Sequence, residues 1–299
     1  MKLRTYIACA SAALLVLVSV PSCAQGDPVR FDRGLLWKVE KSGRPVSYLF
    51  GTLHIPDQRL LDFSPAVRGA FQAAEQVATE IAMDMENLQR LALAMIYTDG
   101  RTLESIAGKK LYGDLTALMP KLGVPATSAQ YLKPWAAMTL LIVPPRADAV
   151  PMDMVLYQAA GKAGKKQAAL ETIDEQVALF ESESVEHQLL MLRDVVENFD
   201  KVGELAQKML RAYLDRDLGA LSVLAAYEDL ASTKEARDLN LRVKERMIEQ
   251  RNVIMADRME PLLQQSRTFV AVGALHLPGA GGLLMLLEQR GYRVTRADD

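Results

Sequence analysis

Two of the chain's three histidines stand in near-copies of one short stretch at opposite ends of the sequence. The copies are Phe50-Gly51-Thr52-Leu53-His54-Ile55-Pro56 and Val272-Gly273-Ala274-Leu275-His276-Leu277-Pro278. With 18 glycines in 299 residues, a glycine three places before a given histidine arises by chance about one time in twenty. The shared Leu before each His and the Pro after it lower those odds further. Two neutral imidazoles and one carboxylate are a sufficient coordination shell for a catalytic divalent metal, because the open positions can take water and substrate. Water bound there is acidic enough to attack a carbonyl near neutral pH. Without a metal, the same imidazole could serve as general base and acid beside an orienting carboxylate. The spacing is not the helical i, i+4 pair of H-E-x-x-H proteases. Gly51 and Gly273 remove a side chain where each loop must pass close to the metal or to the other loop.

Candidate carboxylates are few. Glu80 alternates with alanines in Ala78-Thr79-Glu80-Ile81-Ala82, on a strand face with no other charge, so once covered it needs a cation or several donors. Glu171 follows the short apolar run Lys166 to Leu170 and can be read two ways: as a second strand-end acid of the site, or as a first-turn acid set against a helix dipole. Arg251 falls among the apolar positions of a long charged helix. An inward guanidinium there wants a carboxylate, a phosphate or a ligand, whereas one at the rim would reach back to water. His187, in Glu186-His187-Gln188, lies on an amphipathic helix and reads as a surface residue.

These residues need elements to carry them. Leu35 to Val39 and Val46 to Phe50 read as a hairpin around Ser42-Gly43-Arg44-Pro45, and the second strand runs into Gly51 and His54. Ser64 and Pro65 supply an N-cap and a first helical residue. Gln76 to Ala82 reads as a strand, and Lys166 to Leu170 as another. Residues 85–224 are otherwise mostly helical, with apolar residues at spacings of three and four over 87–97, 103–119, 135–143, 154–163, 172–182, 185–199 and 204–214. A helix is expected from about Ser232 to Leu263, its buried face including Val243, Met247 and Ile254, which lie within about 40° of one another on a wheel. Thr268 to Val272 is a buried strand that delivers Gly273 and His276. Gly279 to Gly282 then leads into a helix from Leu283 to Gln289, and Tyr292 to Thr295 forms a last strand. The expected fold is α/β (α+β): a central mixed β-sheet flanked by helices, with a large helical insertion between its N- and C-terminal strand-forming segments.

Residues 1–24 carry Lys2 and Arg4, then an apolar run from Tyr6 to Val20, and read as a secretory signal. Cleavage after Ala24 is one reading, and lipidation of Cys23 at Val20-Pro21-Ser22-Cys23 is the other. Both cysteines, Cys9 and Cys23, fall in this segment, so residues 25–299, expected as a single domain, hold no pair for a disulfide. The chain has 35 basic and 37 acidic residues and a formal charge of −2. No basic block is present, which argues against nucleic acid as a partner. No later apolar run reaches the length of a membrane span. The expected location is therefore exported: the bacterial periplasm, or the outer membrane through a lipid anchor, with membrane contact limited to the signal or the lipid.

The chain resembles the TraB/GumN family, related to the Tiki-type metalloproteases and more distantly to erythromycin esterases and a haem-binding lipoprotein family. The residues that carry the resemblance are Leu49 to His54, the acidic strand at Glu80, Leu170-Glu171-Thr172 with Gln176, Arg251-Asn252, and Val272 to Gly279. The resemblance implies a metal-dependent proteolytic site with His54, Glu80 and His276 as ligands. It also implies Glu171 and Arg251 in the catalytic group, and Gly51, Gly273 and Asn252 in shaping the binding site. Manganese or cobalt is the metal it implies, with zinc equally suited to the donors. The pattern departs at Pro151-Met152-Asp153, where a glycine would be expected before Met152. The function expected is an exported metal-dependent hydrolase acting on a peptide or small-molecule substrate. The rival readings are a non-catalytic carrier of haem or another small ligand, and a metal-free esterase-like hydrolase.

Overall fold

A computed structural model describes residues 30–143, 150–225 and 233–298. The signal segment, with Cys9 and Cys23, lies outside the described residues. The order begins β1 (Leu36–Glu40), β2 (Ser47–Thr52), α1 (Pro65–Ala73), β3 (Gln76–Thr79), α2 (Met85–Ala94), α3 (Leu103–Leu118), α4 (Pro134–Ile142) and α5 (Met152–Lys162). It continues with β4 (Lys166–Ala169), α6 (Ile173–Glu181), α7 (Val185–Glu197), α8 (Phe199–Leu214), α9 (Leu218–Leu224) and α10 (Lys234–Lys244). A π-helical turn, Glu245–Gln250, joins α10 to α11 (Arg251–Gln265), and β5 (Thr268–Gly273), α12 (Leu283–Gln289) and β6 (Arg293–Arg296) complete the chain. No described helix is long and apolar enough to cross a membrane.

The six strands form one mixed sheet in the order β4-β3-β5-β2-β1-β6. β4, β3, β5 and β2 pair in parallel; β1 pairs antiparallel with β2, and β6 antiparallel with β1, so β1 alone runs against the other five. β5 comes from the far end of the sequence yet lies between β3 and β2. It is buried on both faces from Thr268 to Gly273, as its unbroken apolar run requires. Phe269 in β5 packs against Phe50 of β2 and Phe71 of α1, with ring centroids 5.9 and 5.5 Å apart. The intervening helices cover the sheet and pack on one another, and a single apolar core joins both layers.

Local chemistry sets the boundaries. Ser64 caps α1 by accepting from the Val67 N–H, with Pro65 as its first residue. β3 ends at Thr79, three residues earlier than its alternation suggests, and the Thr79 hydroxyl donates to the Ile81 carbonyl at 2.7 Å just beyond it. α3 is broken at Gly108, whose φ of 78° is left-handed. The helix expected over 232–263 is interrupted by the π turn, which inserts about one extra residue and rotates the following face by about 100°. Ile254, expected to be buried, is therefore 41% exposed, and the inward face, which keeps the expected Arg251, is completed by Asn252, Met255, Ala256 and Met259.

The parallel pairing of β2 and β5 sets Gly51 opposite Val272 and Thr52 opposite Gly273, so the two histidine loops leave the sheet side by side. A Cβ at Gly51 would stand 2.8 Å from Leu277 Cδ1 and 3.0 Å from Ala274 Cα. The first loop thus has no room for a side chain where the second crosses it. We expect Gly51→Ala to destabilise the protein by about 1–3 kcal/mol through overpacking, read as a lower urea midpoint at unchanged slope.

Candidate functional site

Four of the candidate residues sit just beyond the carboxyl ends of four adjacent parallel strands: Glu171 after β4, Glu80 after β3, His276 after β5 and His54 after β2. Parallel strands place those ends along one edge of the sheet, where α/β proteins build their sites. The β3–β4 ladder continues past the strands, with Leu170 N–H donating to Thr79 O at 2.9 Å and Glu171 N–H to Glu80 O at 2.7 Å. The two glutamates therefore lie side by side.

The fifth residue, Arg251, is the first of α11 and is 6% exposed; it points inward, not to the rim. Its Nη2 lies 2.6 Å from Glu80 Oε2 and 2.6 Å from Glu171 Oε2, and its Nε lies 2.9 Å from Glu171 Oε1. Gln176 Nε2 donates to both carboxylates, at 3.2 and 3.1 Å. Glu80 Oε1 accepts from the Gly273 N–H at 2.7 Å, which ties the acid to the second histidine loop. Glu171 precedes the helix that follows it. The cap of that helix is Thr172, in a reciprocal box with Glu175, so Glu171 belongs to the Arg251 cluster and not to a helix dipole. Burial raises the Glu80 carboxyl, but Arg251, the two imidazoles and the Gly273 N–H outweigh it and hold Glu80 well below the usual carboxylate range.

Each imidazole has one nitrogen tied to an oxygen acceptor. His276 Nδ1 stands 2.6 Å from Asn252 Oδ1, and the Asn252 amide donates to Gly281 O at 2.8 Å, so His276 carries its hydrogen on Nδ1. Its Nε2 is 3.3 Å from Arg251 Nη1 and 3.8 Å from Glu80 Oε1. His276 is fully buried, and burial together with the Arg251 charge brings its pKa down to about 3, against the pull of Glu80. His54 Nδ1 lies 2.8 Å from Asp153 Oδ2, while Asp153 Oδ1 accepts from the Thr52 hydroxyl at 2.8 Å. His54 Nε2 has no hydrogen bond among the described residues. Burial lowers the His54 pKa, but Asp153 reverses this and the net direction is upward.

Asp153 is the residue that the reading of motifs alone left without a role. It is 1% exposed in the first turn of α5. An acid between methionines in an apolar helix start is the signal that could have pointed to it. Tyr213 of α8 is a second such residue: its hydroxyl donates to Gly51 O at 2.7 Å, and burial holds its pKa well above 10 so that it remains a donor. His187 lies apart from this cluster on α7, paired with Glu183 at 2.8 Å.

The donor chemistry suits a divalent cation. Both imidazoles are set by second partners to offer Nε2, as metal-bound histidines are. Counted as ionised, the buried carboxylates of Glu80, Glu171 and Asp153 exceed the Arg251 charge even when His54 is protonated. In the arrangement seen, however, no three His, Cys, Asp or Glu side chains among the described residues are spaced to hold one ion, and the cation that Glu80 meets is Arg251.

Residues 35–296 match the model of the TraB/PrgY/gumN family, and the chain belongs to that family. Metalloprotease TIKI2 of Xenopus tropicalis is 25% identical, over 87% of this chain and 59% of the relative. Metalloprotease TIKI2 of Danio rerio is 26% identical, over 87% and 60%. The chain thus spans about three-fifths of the length of these relatives. An uncharacterised protein of Treponema pallidum (strain Nichols) is 26% identical over 94% of this chain and 91% of its own length. No solved structure matches the chain.

The site has a predictable pH signature. Unfolded His276 takes a proton near 6.5, whereas folded His276 does so near 3. Stability from this group is therefore complete above pH 6.5 and lost as pH falls from 6.5 towards 3. Glu80 adds a loss that begins as pH falls through its unfolded value of 4.5. His54 has the opposite sign: its contribution is full below 6.5 and lost as pH rises through its raised folded value. Urea titrations from pH 7 to pH 4 should show a shallower acid-side fall for His276→Gln than for wild type.

Proposed function

We propose that this chain is an exported metal-dependent hydrolase that cleaves peptide bonds, with His54, His276 and Glu80 as the metal ligands. The observation that carries the reading is the delivery of two Gly-x-x-His loops by adjacent parallel strands to an edge that also carries Glu80. Membership of a family whose matched relatives include metalloproteases supports it. So does the surplus of buried carboxylate, which a divalent cation would neutralise. When bound, manganese, cobalt or zinc would polarise the scissile carbonyl and make water a nucleophile near neutral pH.

The chain's own residues do the rest. Asp153 and Asn252 hold the two imidazoles in the tautomer that presents Nε2. Tyr213 and Thr52 fix the backbone and the acid around His54. Arg251, held by Glu171, supplies positive charge to a site where negative charge develops during attack on a carbonyl. Glu171 and Gln176 hold Arg251 and Glu80 at their spacing.

The test is hydrolysis of a peptide library by protein stripped with chelator and then re-supplied with Mn(II), Co(II) or Zn(II). Activity should vanish on stripping, return with metal, and be absent in the His54→Ala, His276→Ala double variant. Activity that persists in chelator would favour a metal-free esterase-like hydrolase, and a Soret band on haem titration without turnover would favour a carrier. Asp153→Asn should lower activity about 10- to 100-fold while leaving the fold intact, as measured by kcat/KM beside circular dichroism.

A further inference from the structure

Arg251 and a divalent ion would compete for the same ligands, and the hold of the guanidinium on its partners is uneven. Glu171 receives three of its contacts: Nε at 2.9 and 3.1 Å and Nη2 at 2.6 Å. Glu80 receives one, from Nη2 at 2.6 Å. Nη1 donates to the Met247 carbonyl at 3.0 Å and only then reaches His276 Nε2, at 3.3 Å. Glu171 thus holds the guanidinium through two nitrogens, Nε and Nη2, and Met247 through the third, whereas Glu80 and His276 each share a nitrogen, Nη2 and Nη1, with one of those partners, so their contacts can be released without losing the others. Met247, which carries one anchor, lies in the π turn Glu245–Gln250, a feature frequent at functional sites. Gln176 bridges both carboxylates and so keeps their spacing independent of the guanidinium.

We propose that Arg251 is a built-in counter-cation that competes with the metal for Glu80 and His276, and that Glu171 is the acid onto which it withdraws when metal binds. This rests on the reading of His54, His276 and Glu80 as ligands. Two glutamates buried side by side without a cation would be strongly unfavourable, and the guanidinium keeps the metal-free chain folded. With metal held by His54, His276 and Glu80, the charge of Glu80 would be countered without Arg251, while Glu171 would continue to satisfy the guanidinium. Metal affinity is the difference between the two cations' claims on one carboxylate.

The experiment is calorimetric titration of the full chain with Mn(II) alone, together with the melting temperature with and without Mn(II). Arg251→Gln should bind Mn(II) at least about tenfold more tightly, the scale of one charge-assisted hydrogen bond. Its melting temperature should fall without metal and recover with it. Glu171→Gln should bind about tenfold more weakly, because the guanidinium, freed from its anchor, stays on Glu80. Arg258→Gln is the control: it removes a nearby positive charge that bonds Glu175 and the Leu170 carbonyl but not Glu80, and should change affinity by less than about twofold.

Unchanged or weaker binding by Arg251→Gln would overturn the proposal, as would an Arg258→Gln effect of equal size, which would point to the general field of charge. If Arg251→Gln does not fold, Arg251→Lys decides: a lysine keeps the charge but cannot span both acids, so tighter binding supports competition and unchanged binding refutes it. If neither wild type nor any variant binds Mn(II), Co(II) or Zn(II), the metal reading itself falls. Binding that survives in the His54→Ala, His276→Ala variant has the same result.

Discussion

A single guanidinium between two buried glutamates holds this edge of the sheet together. Arg251 joins α11 to the ends of β3 and β4, and Glu80 carries the link on to β5 through the Gly273 N–H. Three groups that would each be costly to bury alone are tolerable because every contact is charge-assisted and the remaining lone pairs are satisfied. Such a cluster contributes specificity of arrangement more than net stability, since its desolvation cost offsets much of its Coulombic gain. Its physical effect is to counter the charge of Glu80 and Glu171, which the backbone ladder and Gln176 set side by side, and to set a positive charge beside His276. That charge, with burial, keeps His276 neutral through the physiological range.

Around this cluster the two imidazoles are treated differently. His276 is sealed in, bonded to an amide and kept free of a second proton. His54 is held by a carboxylate and drawn towards protonation. One fold thus supplies two histidines from near-identical motifs with opposite proton affinities. The cause lies in the neighbours and not in the motifs: α5 brings Asp153 to the first, and α11 brings Arg251 and Asn252 to the second. The helical region between β3 and β5 is in this sense part of the site, since it delivers Asp153, Gln176 and Tyr213.

Much of this was legible residue by residue. The paired Gly-x-x-His motifs, the isolated Glu80 and the inward Arg251 each break a local pattern, and the strand runs and caps place most elements within a few residues of where they form. Other features could not be read. Alternation runs on through Ala82, but β3 ends at Thr79, whose hydroxyl bonds the Ile81 carbonyl, a contact that no periodicity reports. A helical wheel assumes 100° per residue, so the π turn before Arg251 shifts the buried face away from Ile254 and onto Met255 and Met259. Asp153 stands 99 residues from its histidine, and nothing in its own surroundings names the partner.

The order of residues by itself determined the composition of the site and the local shape of its carriers: which side chains could ligate or transfer protons, which runs would be strands, and where glycine had to stand. Those are properties of short stretches, set by steric period, capping and side-chain chemistry. Only the tertiary structure decided that β5 would lie between β3 and β2 in parallel register, that the loops of His54 and His276 would leave side by side, and that Arg251 would stand against Glu80. Those outcomes depend on pairing and burial between segments up to about two hundred residues apart. The energy that selects them comes from covering the whole sheet, and no local stretch carries it.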